Sequence, residues 1–120
     1  MKELIANIKQ TLAKKGFEGD AVVNALKDLR EYVKANLNEP GYVKMIRLAY
    51  ENIEENGEYT YDYLRGGSPE ENLNYFLDLL ADHKNKYNKE ELQEIRNLME
   101  GLEVDYDDFD LEEEDDDDLI

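Results

Sequence analysis

From Leu4 to Met99 the apolar residues of this chain recur at intervals of three and four, and one short stretch alternates instead. That spacing puts them on one face of a helix with 3.6 residues per turn. The chain therefore reads as a succession of amphipathic helices. The first covers about residues 2–15 with Leu4, Ile5, Ile8 and Leu12 as its stripe. Gly16 fits a left-handed stop, and Phe17 supplies the apolar contact behind it. Asp20 is a favoured N-cap for a second helix reaching about Leu37, striped by Val22, Leu26, Leu29, Val33 and Leu37. After the turn Asn38-Glu39-Pro40-Gly41, a third helix over about 41–56 carries Val43, Ile46, Ala49, Tyr50 and Ile53. Its apolar arc is wide, which predicts the most buried element. Gly57 ends it.

Ser68-Pro69-Glu70-Glu71 is the clearest local signal. Ser68 caps, Pro69 stands where a missing N–H costs nothing, and Glu71 can return a bond to the cap. A helix to about Tyr87 follows, burying Leu73, Phe76, Leu77 and Leu80. Asn88 opens a last helix with Leu92, Ile95, Leu98 and Met99, and Gly101 stops it. The alternating exception is Tyr59, Tyr61 and Tyr63. A lone strand would leave its backbone hydrogen bonds unmade, so a short helix or a turn is expected there. The fold class is all-α: a single small bundle of five to six helices over residues 1–102.

Residues 103–120 are of another kind. Twelve of these eighteen are acidic and none is basic. Charge at that density opposes burial, so the segment is expected to be a disordered acidic tail. It also spaces Tyr106, Phe109 and Leu111 among its acids and closes with Leu119 and Ile120, which solubility alone does not require. The balance runs from +3 over residues 1–50 to −8 over 51–102 and −12 in the tail, for a net charge of −17.

These totals exclude much. Without cysteine there are no disulfides, thiolate catalysis or Cys-based metal sites, which fits a cytoplasmic location. No apolar run is long enough for a signal peptide or a membrane span. The acidity opposes direct nucleic-acid binding and favours a basic protein surface as partner. His83 is the one histidine and Ser68 the one serine, the latter explained by capping. No nucleophile–base–orienter set can be assembled, so the chain is expected not to be an enzyme and to carry no cofactor. His83, at the edge of a stripe, is expected to pack and make one hydrogen bond. Asp105, Asp107, Asp108, Asp110 and Glu112 are spaced like calcium-loop ligands, but Asp110 stands where the tight turn needs glycine.

Two short resemblances accompany these readings. Lys15-Gly16-Phe17 followed by Ala25-Leu26 resembles the loop and second helix of ubiquitin-associated domains, although the helix predicted next is too long for that family. The acidic, aromatic-spaced end resembles the acidic tips of bacterial single-stranded-DNA-binding proteins, without their final Pro-Phe pair. That resemblance implies charge steering to a basic groove, locked by one or two apolar residues.

The function expected is a non-enzymatic protein–protein interaction or regulatory module. Candidate partner-binding residues are Tyr106, Phe109, Leu111, Leu119 and Ile120 in the tail, with Tyr59, Tyr61, Tyr63 and Arg65 in the tyrosine loop. The tyrosine rings could equally cover the core edge with their hydroxyls in water. A nucleic-acid mimic, or a structural component of a larger assembly, is the alternative. The tail could also fold back on Lys9, Lys14, Lys15, Lys27, Arg30 and Lys34 of the first two helices.

Overall fold

The structure, a computed structural model, describes residues 1–104. It is all-helical: α1 (Lys2–Lys15), α2 (Ala21–Asn36), α3 (Pro40–Asn56), α4 (Pro69–Ala81) and α5 (Lys86–Val104). The expected acidic tail, from residue 105 on, lies outside the described residues.

The helices form a closed ring. α1 packs on α2, α2 on α3 and α4 on α5, while α4 meets α1 and α3 meets α5. Order around the ring is thus α1, α2, α3, α5, α4, and the connection 57–68 carries the chain from α3 to the far neighbour of α5. One core fills the ring. Ile8, Leu26, Leu29, Ile46, Phe76 and Leu92 are among the side chains buried almost completely. Each large apolar side chain so buried contributes about 1.5–3 kcal/mol.

The stripes read from the sequence are the faces that pack. Ile5, Ile8 and Leu12 of α1 are buried, as are Val22, Leu26, Leu29 and Val33 of α2. Asp20 precedes α2 but makes no side-chain cap bond. Gly57 ends α3 at φ 81°, a left-handed backbone that glycine adopts without a Cβ clash. The capping box at Ser68 is complete: Ser68 Oγ accepts from the Glu71 amide at 3.0 Å, and Glu71 Oε1 accepts from the Ser68 amide at 2.8 Å.

Three expectations are corrected. α4 ends at Ala81 rather than near Tyr87, and α5 starts at Lys86 rather than beside Asn88. The cap belongs to Asn85, whose Oδ1 accepts the Asn88 amide at 3.1 Å. α5 also runs through Gly101 to Val104, since a glycine costs a helix only about 1 kcal/mol and does not by itself end it. Finally, α4 is buried more thoroughly than the wide-arced α3. Six of its 13 residues are buried, against five of 17.

The alternating stretch forms no strand, as expected, and its backbone groups find side-chain partners instead. Asn52 of α3 bonds Thr60 twice, accepting its amide on Oδ1 at 2.7 Å and donating Nδ2 to its hydroxyl at 2.8 Å. Asn72 of α4 accepts the Leu64 amide at 2.9 Å and donates towards the carbonyls of Gly67 and Ser68. Two asparagines do here what a neighbouring strand would do in a sheet.

Candidate functional site

Pinned in this way, the loop sorts its tyrosines. Tyr59 and Tyr61 turn inward, 2% and 6% exposed, with their rings edge to face at 5.7 Å. They are core residues, and no docking surface can be built on them in this conformation. Burial pushes the Tyr59 hydroxyl far above its usual range, with the neighbouring Tyr61 adding to it. Arg65 lies exposed on the same loop with φ 55° and makes no ion pair among the described residues.

Tyr63 takes a different course. It is half-buried over the junction of α4 and α5, its ring stacked on Tyr75 of α4 at 5.9 Å and 16°. Its hydroxyl lies 2.7 Å from Glu94 Oε1 and 3.0 Å from Glu91 Oε1, with one proton to share between them. The Tyr75 hydroxyl donates to the same Glu91 oxygen at 2.8 Å. Glu91 and Glu94 stand three apart on α5, so they share a face. Burial and the two carboxylates hold the Tyr63 hydroxyl protonated well above its usual range. Burial and Glu91 push Tyr75 up to about 12. Tyr87, 64% exposed and near enough to Tyr75 to act on it electrostatically, extends the face.

Two properties make this face distinctive. Its tyrosines are oriented by their own hydroxyls rather than left to rotate. Its carboxylates also have no basic partner among the described residues. The described ion pairs engage Asp78, Glu54, Glu31, Glu51 and Glu100, but neither Glu91 nor Glu94. Each keeps a second oxygen for a cation, beside aromatic rings that also attract one.

Elsewhere the chemistry is sparse. His83 packs edge to face on Tyr42 at 5.6 Å, as expected. Its buried Nδ1, however, has no partner among the described residues, so the expected hydrogen bond is not found at that atom. No group of three metal-binding side chains occurs among the described residues, and none of their helices is long and apolar enough to cross a membrane. Tyr106, Phe109, Leu111, Leu119 and Ile120 lie outside the described residues, as does the calcium-like spacing from Asp105.

Of the residues singled out in the sequence, the structure therefore brings Tyr63 alone to the acidic face. Sequence reading missed Tyr75, Tyr87, Glu91 and Glu94. Glu91 and Glu94 share a helical face at a spacing visible in the sequence, but their tyrosine partners lie 16 to 31 residues away. The chain matches no protein-family model, no curated protein and no solved structure in comparisons with known proteins. Geometry alone carries the functional reading.

Proposed function

We propose that this chain is a non-enzymatic interaction module, acting in the cytoplasm, that binds a basic protein surface through its acidic half. The observation that carries this is the Tyr63–Tyr75 stack held on Glu91 and Glu94, two carboxylates without a basic partner among the described residues. Lysine or arginine from a partner would complete those carboxylates and lie on oriented rings, a combination favoured at binding hot spots. The tail acts as a second arm in this reading. Its acids raise the encounter rate, and Tyr106, Phe109 and Leu111 add apolar contacts.

A fluorescent arginine- and lysine-rich peptide, titrated by anisotropy into the full chain, tests the reading. Glu91→Gln/Glu94→Gln should weaken binding about tenfold, or ~1.4 kcal/mol. Glu51→Gln/Glu55→Gln, with the same change of net charge, should weaken it far less. Equal losses from the two pairs would mean that net charge alone attracts the peptide. Tyr106→Ser/Phe109→Ser/Leu111→Ser, at unchanged charge, tests the tail in the same titration, and unaltered affinity would remove it as a specific arm.

A further inference from the structure

The basic residues of the first two helices divide into two groups. Lys9 pairs with Asp78, Lys27 with Glu54 while lying over the Tyr50 ring, and Arg30 with Glu31. Lys2, Lys14, Lys15 and Lys34 have no ion pair among the described residues, and of these four Lys14 and Lys15 line a cleft of about 310 Å³ between α1 and α2. The cleft stays open because α2 presents Ala21 and Ala25 to it, side chains too small to reach across.

Its lining is rich in donors. The carboxamides of Asn7, Gln10 and Asn24 join the two ammonium groups, and none of these five side chains is engaged by another among the described residues. One carboxylate, Asp28, shares the cleft, so the lysines outnumber it two to one. Such a lining suits an extended segment bearing carboxylates.

We infer that the chain's own acidic C-terminal segment, residues 105–120, docks in the cleft between α1 and α2 and sets its carboxylates on Lys14 and Lys15. The segment holds eleven acids and no base. Its sixteen residues, extended, span about 55 Å, and the longest dimension of the domain is 40 Å. The segment is thus longer than the domain is wide and can follow its surface towards the cleft. Tethering raises the local concentration of the segment to about the millimolar range, so a weak site suffices. Docking needs no partner protein and goes beyond the function proposed above. It would also withhold the tail's carboxylates from a basic partner, which must displace them.

Because the chain lacks cysteine, Asp116→Cys in the full-length protein accepts a single nitroxide. Paramagnetic broadening of amide NMR signals then reports where the segment rests. Lys14, Lys15 and Asn24 should broaden several-fold more than Glu51 or Glu94. The effect should vanish at about 0.5 M salt, where charges are screened within about 4–5 Å. It should also vanish in Lys14→Glu/Lys15→Glu and persist in Lys84→Glu/Lys86→Glu, which changes charge equally at the exposed α4–α5 turn. Uniform broadening, or equal release by both double variants, would overturn the inference. Broadening of an isotope-labelled chain by a separately spin-labelled copy would overturn it too, by showing docking between molecules.

Discussion

The Asn72 carboxamide donates to Asp62 Oδ1 at 3.0 Å, tying the first full turn of α4 to the loop that precedes it. Asp62 returns the restraint by accepting the Gly66 amide at 2.7 Å on its other oxygen. These bonds hold the Asp62 carboxyl below its usual range, the Gly66 amide contributing most and Asn72 next. Asn72 is 4% exposed and is the buried polar residue of the described core. Through it, the position of Tyr63 depends on a residue nine places further along the chain.

Asn72→Leu should destabilise the domain by about 2–4 kcal/mol, because it takes the acceptor from the Leu64 amide and the donor from Asp62 Oδ1 and the Gly67 carbonyl. Urea unfolding measures the loss. The Tyr63–Tyr75 contact should weaken with it, read from near-ultraviolet circular dichroism in the still-folded protein. Asn72→Asp keeps an acceptor for Leu64 but sets a second carboxylate beside Asp62. Its deficit should shrink as pH falls into the carboxylate range.

Phe76→Ala empties the centre of the ring, since Phe76 is wholly buried on the helix that meets both α1 and α5. A cost of about 3–5 kcal/mol is expected, a large share of the stability of a domain this size. The urea midpoint should drop accordingly. A loss below about 1 kcal/mol would contradict the packing described.

Glu100 joins α5 to α3, meeting Lys44 at 3.0 Å and Arg96 at 3.1 Å. Burial pushes its carboxyl up, but the two cations outweigh this and hold it below the usual range. A lowered folded-state value means stability that is present above the unfolded value near 4.5 and is lost as pH falls through the folded one. Glu100→Gln should remove that part of the acid transition. Its cost at neutral pH should stay under about 1 kcal/mol, because all three groups are partly exposed.

Tyr75 gives the opposite limb. Its hydroxyl rises from 10.0 to about 12, so the folded state holds the proton more tightly than the unfolded chain. Stability is then intact below pH 10 and declines as pH rises from there towards about 12. Absorbance at the tyrosinate band should show Tyr75 ionising late. Glu91→Gln should bring it earlier by removing the carboxylate that accepts its proton.

Gly101→Ala tests the course of α5. Nothing stands within 4 Å of a Cβ added there, and the backbone is helical. Stability should rise by about 0.5–1 kcal/mol, with a gain in helical circular dichroism. A helix that ended at Gly101 in a left-handed stop would instead be destabilised by the same change.

The helices were legible because what forms them is local. The stripe of α2, the stop at Gly57 and the capping box of Ser68 and Glu71 each depend on residues within about one turn of one another. The α4–α5 junction was misplaced for a related reason. Asn85 and Asn88 present the same capping chemistry three residues apart, and only packing chose between them, with His83 turned onto Tyr42 of α3. Gly101 likewise offered a stop that α5 does not use.

By itself, the sequence determined that this protein is a single all-α bundle, where most of its helices run and which faces they bury. All of these follow from periodicity and from hydrogen bonds that close within a turn. Tertiary structure alone decided which tyrosines of the loop enter the core and which one meets α5. It likewise decided which lysines are spent on ion pairs and which are left lining a cleft. Those outcomes join residues far apart in the chain, 31 positions for Tyr63 and Glu94 and 69 for Lys9 and Asp78. No local pattern encodes such pairs, because each depends on how the ring of helices closes.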